Sequence, residues 1–359
     1  MSTDKAQGRV AQATQTFYLG VDIGGTKCAL VLGDAELNVL DRIAFPTEVR
    51  RGPGEIVQTL LDAAEALLQK HGLRPSHTDG IQAIGISCGG PLDSTRGLIQ
   101  SPPNLPGWDE VPITRYFAER FGVTTALQND ANAGALAEWM LGAGQGVRNL
   151  VFLTFGTGLG AGLILDGRLY AGTNDLAGEL GHWRLAEDGP EAFGKRGSFE
   201  GFCSGAGIAQ LARWQAREVL LRGGEVSFAK DVDSLDTLTT KDVAIAAHNG
   251  DPLAREVFAE SGRKLGAGLS LLIDLLNPQK VVIGSVFARC QDLLYPHALK
   301  VMEAEALAPA LQRCQVVPAA LGEAIGDVAS LCVAHYAATN GVRKQKAQAP
   351  LPEDLDTVT

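Results

Sequence analysis

The chain has little of what marks several protein classes. Only six of its 359 residues are cysteine, at 28, 88, 203, 290, 314 and 332. They form no CxxC pair and no regular spacing, which excludes a disulfide framework and suits reduced thiols in the cytoplasm. Cations are in the minority, with 31 Lys and Arg against 41 Asp and Glu and a net charge of −10. Nucleic acid and anionic membrane surfaces reward clustered Lys and Arg, so neither is expected as a partner. No apolar run approaches the length of about 20 residues that spans a bilayer. The opening MSTDKAQGRVAQATQT has no apolar core, so neither a signal peptide nor a membrane anchor is expected. A P-loop, GxxxxGK followed by Ser or Thr, is absent as well.

What is present is enough apolar material, 45 % of the sequence, for two cores of ordinary size. From Phe17 the chain reads FYLGVDIGGTKCALVLGDAELNVLDRIAFPTE: strand, Gly-Gly turn, strand, Gly33-Asp34 turn, strand. Ile56, Leu60, Leu61, Ala64, Leu67 and Leu68 then share one helical face, stopped at His71-Gly72. IQAIGISCGG (81 to 90) reads as a buried strand of the same sheet, closing a βαβ unit. A shift of 134 residues brings up a second copy of the opening. LVFLTFGTGLGAGLILDGRLYAG (150 to 172) again gives strand, glycine turn, strand, turn and strand, with Leu19 matching Leu153, Gly24 matching Gly158 and Gly33 matching Gly167. Such a duplication predicts two similar domains with a cleft between them. A long helix starts at the Asp251-Pro252 cap and runs to about Leu276, where Asn277-Pro278 stops it. Its internal Gly262, Gly266 and Gly268 call for close packing to offset their cost. Residues 222 to 240 read as loop and disorder, as does the tail from about Val342.

Several stretches carry chemistry-bearing residues. In VDIGGTK (21 to 27) the glycines let backbone N–H groups approach phosphate oxygens, Thr26 adds a hydroxyl, and Asp22 at the strand end suits Mg²⁺ held through water. The alternatives are a plain tight turn and a solvated Lys27. FGTGLGAG imitates a dinucleotide fingerprint, but that fingerprint needs a helix directly after the glycines and AGLILDGRLY continues as strand. In LQNDANAGALAEW, Asn129 and Asp130 stand where strand gives way to helix, so one can cap while the other serves as a general base for a hydroxyl. ELGHWRLAEDGPEAFGKRGSFEGF (179 to 202) leaves three options open: metal site, sugar site, or charged loop.

In order, DIGGTK, ISCGGPLD, SPPNLPGW, NDANAGALAE, FGTGLGAG, GELGH and LNPQKVVIG resemble the ROK (repressor, open reading frame, kinase) family over about residues 17 to 340. The resemblance implies an α/β chain with the two-lobed, duplicated ribonuclease H-like fold of actin-like ATPases and a central cleft. It places the small lobe at 17–130 plus 323–341 and the large lobe at 131–322, between disordered ends at 1–16 and 342–359. It implies a cytoplasmic, homodimeric kinase that uses ATP and Mg²⁺ to phosphorylate the 6-hydroxyl of a hexose, glucose first. By similarity Asp22, Gly24, Gly25, Thr26, Lys27, Gly156, Thr157, Gly158 and Gly284 bind the nucleotide, with Asp22 at the metal. Gly90, Asn104, Asn129, Asp130, Glu179, His182 and Glu200 bind the sugar, and Asp130 is the catalytic base.

One departure stands out. Many members of that family carry CxCGxxGCxE after the GH pair, a zinc motif, and here the frame reads EAFGKRGSFE. Glu191, Phe193 and Ser198 replace the three thiolates. With His182, Glu191 would leave two ligands where structural zinc takes four. No zinc is therefore expected, with Phe193 making apolar contacts in its place and nothing metallic to fix the His182 ring. Trp108 fits either stacking near a sugar or plain packing. An N-acetylhexosamine kinase, a sugar-responsive repressor and a non-catalytic sugar-binding protein are the alternatives. The repressor would need a DNA-binding module ahead of Phe17.

Overall fold

The computed structural model describes residues 16–74 and 80–340. The disorder expected at 1–16 and 342–359 falls, apart from Thr16, outside the described residues. The described residues divide into two compact units, one drawn from Met1–Gln128 and Ser330–Thr359, the other Asn129–Ala329. Each encloses its own apolar core, as an independently packed domain must.

The first unit is built on a five-stranded sheet in the order Val39–Pro46, Lys27–Asp34, Phe17–Ile23, Ile81–Cys88, Thr124–Asn129. The expected meander is there, antiparallel, with Asp22 opposite Ala29. The Gly52–Lys70 helix leads to Ile81–Cys88, which returns parallel to the first strand. Ile56, Val57, Leu60, Leu61, Ala64, Leu67 and Leu68 are its buried face, the 3.6-residue stripe visible in the sequence. The Ile325–Asn340 helix contributes Ser330, Leu331 and Ala334 to the same unit, where Gly20 and Gly85 lack the side chains that would strike Ser330 and Ala334.

The second unit repeats the plan. Its sheet runs Arg168–Leu169, Ala161–Leu165, Leu150–Leu153, Lys280–Ile283, Gln315–Pro318: an antiparallel meander followed by parallel strands. The duplication legible in a few matched residues is thus a duplication of topology. A strand and not a helix follows FGTGLG, as the rejection of a dinucleotide fingerprint requires. The Pro252–Leu276 helix has the expected bounds, with the Asp251 side chain accepting from the Ala254 N–H. Its glycines give the close packing they call for: a Cβ on Gly262 would lie 2.5 Å from the Leu294 carbonyl oxygen.

Residues 222–240 correct the reading as disorder. Ala229, Leu235 and Leu238 are buried in the second core, Asp233–Thr237 is a 3₁₀ turn, and the Leu238 carbonyl accepts from Arg213 at 2.7 Å. Three anchors at spacings of six and three have neither helical nor strand period, so pattern alone misses them. Cys28, Cys88, Cys203, Cys290 and Cys332 are buried and Cys314 half-buried. Burial pushes the Cys332 thiol up to about 12 and that of Cys314 up to about 11, which leaves both protonated and unreactive at neutral pH. No helix among the described residues is long and apolar enough to cross a membrane.

Candidate active site

In the first unit the Gly24-Gly25 turn ends the Phe17–Ile23 strand. The Gly24 N–H donates to the Lys27 carbonyl at 3.1 Å, the Thr47 hydroxyl donates to the Gly24 carbonyl at 2.5 Å, and the Thr47 N–H donates to the Thr26 carbonyl at 3.0 Å. With the Gly24 amide engaged in closing the turn, the amides left to serve an anion are those of Gly25 and Thr26. Thr26 and Lys27 are exposed and Asp22 is half-buried. Asn104 packs against this turn: a Cβ on Gly25 would lie 2.5 Å from the Asn104 carbonyl oxygen and 2.8 Å from its Cβ, and one on Gly89 3.3 Å from Asn104 Oδ1. Gly90 faces open space. A phosphate-turn candidate and two sugar candidates are therefore brought together. Gly25→Ala should displace Asn104, at about 1–3 kcal/mol for overpacking against backbone. The check is a lowered melting temperature with a raised sugar KM; an unchanged pair of values would separate the turn from Asn104. Trp108 is fully buried in the first core, which settles it as a packing residue.

In the second unit, the Asp130–Met140 helix is capped by Asn129, whose Oδ1 accepts from the Asn132 N–H at 2.7 Å. Capping therefore falls to Asn129, and Asp130 stands at the first helical position, its Oδ1 accepting the adjacent Ala131 N–H at 2.8 Å. The helix lies close on its sheet, because a Cβ on Gly162 would come within 2.6 Å of the Ala135 Cβ. Asp130 reaches solvent, yet the protein around its carboxyl strips enough water to raise its pKa, with the Ala131 N–H pulling the other way.

The second glycine turn mirrors the first. Gly156 donates to the Gly158 carbonyl at 2.9 Å, and the Gly205 N–H donates to the Gly156 carbonyl at 2.7 Å, tying the turn to the Gly205–Leu221 helix. Gly284 adjoins the same region: its N–H donates to the Leu153 carbonyl at 2.9 Å, and two residues on the Val286 N–H donates to the Phe155 carbonyl at 3.0 Å. Phe155 and Ser285 both hold positive φ, 27° and 50°, a left-handed backbone that sequence gave no sign of.

Glu200 joins this turn to the GH segment. Its Oε2 accepts from the Leu159 N–H at 2.8 Å, and a Cβ on Gly158 would fall 2.9 Å from that oxygen. Burial raises the Glu200 pKa, the Leu159 N–H and His182 lower it, and Glu179 adds to the rise. Glu179 Oε2 lies 3.8 Å from His182 Nε2. Glu200 belongs to the Phe199–Phe202 turn, whose N-cap is Ser198, accepting from the Gly201 N–H at 3.1 Å. Ser198, read only as a lost thiolate, has its own structural duty. Phe193 does make an apolar contact, but on the His182 ring at 4.7 Å between centroids, and it is otherwise 68 % exposed. Among the described residues no group of three or more His, Cys, Asp or Glu is placed to hold a metal ion.

The model of the ROK family matches residues 18–336. This chain belongs to the ROK family. It is 32 % identical to a glucokinase of Halalkalibacterium halodurans over 316 residues, 87 % of this chain and 93 % of that one. Among solved structures it resembles the ROK hexokinase of Thermus thermophilus (30 % identity, TM-score 0.74, covering 90 % of this chain and 100 % of that one). It also resembles a ROK glucokinase of Streptomyces griseus in complex with glucose and AMPPNP (30 %, TM-score 0.66, 89 % and 99 %). Similar proteins further include an N-acetylmannosamine kinase of Salmonella arizonae, 34 % identical over 58 % of this chain and 69 % of that one. The family's duplicated α/β fold is the one observed, with a five-stranded sheet in each unit.

Proposed function

We propose that this ROK protein is an ATP-dependent kinase that phosphorylates the 6-hydroxyl of a hexose, glucose foremost. The observation that carries the reading is the division of labour at the head of the Asp130–Met140 helix. Asn129 caps the helix, and Asp130, relieved of that duty, presents a carboxylate of raised pKa. A base with such a pKa holds a proton more readily than an ordinary aspartate, which suits it to take one from an attacking hydroxyl. Glu179, His182, Glu200, Asn104, Asn129 and the open backbone at Gly90 supply acceptors and donors for the remaining hydroxyls, and groups left unpaired by the wrong epimer penalise it.

The residues also fit a nucleotide with its metal. The turn amides at 25–26 and 157–158 are the candidates to meet phosphate charge, and beside Gly156 a Cβ would find nothing nearer than Ser285 Oγ at 3.6 Å, which leaves backbone there open to a close approach. Asp22 is a hard oxygen donor of the type Mg²⁺ prefers, and the ion ordinarily needs one or two such carboxylates beside the phosphates and water. When bound it would neutralise charge on the phosphate oxygens. Lys27 and Gly284 complete the nucleotide set. The same reading carries a cytoplasmic homodimer with no nucleic-acid partner.

The test is sugar-dependent ADP formation across glucose, mannose, fructose, N-acetylglucosamine and N-acetylmannosamine. Glucose is expected to give the highest kcat/KM. Preference for an N-acetylated sugar would move the assignment to the amino-sugar kinases, and inertness toward all five combined with specific duplex binding would move it to the repressors.

A further inference from the structure

The Glu191–Ala192 and Lys195–Arg196 strands form a small hairpin in which Glu191 faces Arg196 and Ala192 faces Lys195. Its tip is costly as built. Phe193 holds φ of 50°, a left-handed backbone that bulky residues rarely adopt, and 68 % of its surface remains in water. A strained, exposed aromatic persists only where its surroundings hold it, and they do so here. The Glu191 N–H donates to Gln210 Oε1 at 2.6 Å, Arg184 donates to the Arg196 carbonyl at 2.8 Å, and the Leu185 N–H donates to the Gly197 carbonyl at 2.9 Å. What the tip touches is His182. The two rings stack at 4.7 Å and 25°, and from the returning strand Lys195 Nζ donates to the His182 carbonyl at 2.7 Å.

We propose that this hairpin is a metal-free clasp that fixes the His182 imidazole for a hexose hydroxyl, with Phe193 as its stacking face and Lys195 as its backbone tether. The proposal rests on the hexose-kinase reading and adds positioning residues to it. A ring held by its face keeps both nitrogens at the edge for hydrogen bonding, whereas a ring held by coordination gives one nitrogen up to the metal. The Nε2 edge looks toward Glu179 at 3.8 Å, so the clasp orients the His182–Glu179 pair together. Glu200 lies in the same electrostatic neighbourhood, its ionisation coupled to both. The loss of the thiolate frame is then a replacement of one means of orientation by another.

The experiment uses the full chain with Phe193→Ala, Phe193→Tyr, Phe193→Gly and Lys195→Met. Phe193→Ala should raise the glucose KM by about three- to tenfold, the worth of an aromatic pair, with the ATP KM unchanged. Phe193→Tyr, which keeps the stack, should restore the wild-type value. Lys195→Met should raise the glucose KM in the same direction. Phe193→Gly suits the left-handed backbone, so its melting temperature should hold or rise while its glucose KM worsens like that of the Ala variant; a merely structural role would move the two together. In NMR of the unliganded protein, the His182 ring protons should lose their upfield ring-current shift in the Ala variant and keep it in the Tyr variant. An active wild type with unchanged glucose KM in Phe193→Ala would overturn the clasp alone. A wild type inert toward every hexose would overturn the kinase reading and the clasp with it.

Discussion

Asp130→Asn is expected to lower hexose-dependent ADP formation by about 10² to 10⁴-fold, the usual contribution of a positioned general base, with little change in hexose KM. The amide preserves shape and the Asn129 cap is untouched, so the loss should fall on kcat. Stability separates this from unfolding. Desolvation raises the Asp130 pKa in the folded state above its ordinary 3.8, so the folded protein binds that proton more tightly than the unfolded chain. Above the folded pKa the ionised carboxylate therefore detracts from stability, and the contribution present at low pH is lost as pH rises through the raised value. A neutral amide removes that burden, so the melting temperature of Asp130→Asn at pH 7 should equal or exceed that of the wild type. For the same reason kcat/KM of the wild type should fall on the acid side in a limb lying above the ordinary aspartate range, and the residual activity of the variant should lack it. Near wild-type turnover in Asp130→Asn would remove this residue as the base.

Glu138→Ala should be the most destabilising of the single changes considered. Glu138 is fully buried on the Asp130–Met140 helix and accepts three backbone N–H groups: Ala143 at 2.8 Å, Ala320 at 3.2 Å and Leu321 at 2.9 Å. It pins the end of its own helix to a segment nearly two hundred residues away in sequence. Truncation would leave three amides without an acceptor, at a cost of about 3–5 kcal/mol for breaking such a buried set. The unit should melt lower by on the order of 10 °C. Glu138→Gln, which keeps a carbonyl oxygen, should lose less. Calorimetry checks both, and a Glu138→Ala protein melting within about 2 °C of the wild type would show that the segment at 320–321 holds without it.

Glu138 also shows where reading a sequence stops. It stood inside NDANAGALAEW, in plain view beside the catalytic candidates. The small residues around it, buried all the way from Ala131 to Glu138, were the available signal that the helix is enclosed on every side. Nothing local says that an amide at position 320 arrives to meet a carboxylate at 138. The duties of Lys195 and Ser198 are hidden from local pattern for a like reason: one reaches a carbonyl thirteen residues back and the other caps a four-residue turn.

By itself the sequence determined the parts that depend on short-range physics. Apolar period, Gly-Gly turns, the Asp251 cap and the repeat at 134 residues fixed two similar α/β units, because each follows from backbone geometry within a few residues. Motif order fixed the family and the two sets of candidate residues. Tertiary structure alone decided that Asn129 caps while Asp130 stays available, that Gly25 and Gly158 make room for Asn104 and Glu200, and that Phe193 lies on His182. Those outcomes depend on which distant atoms occupy the few ångströms beside each residue. That is set by close packing of the whole chain, and no local pattern encodes it.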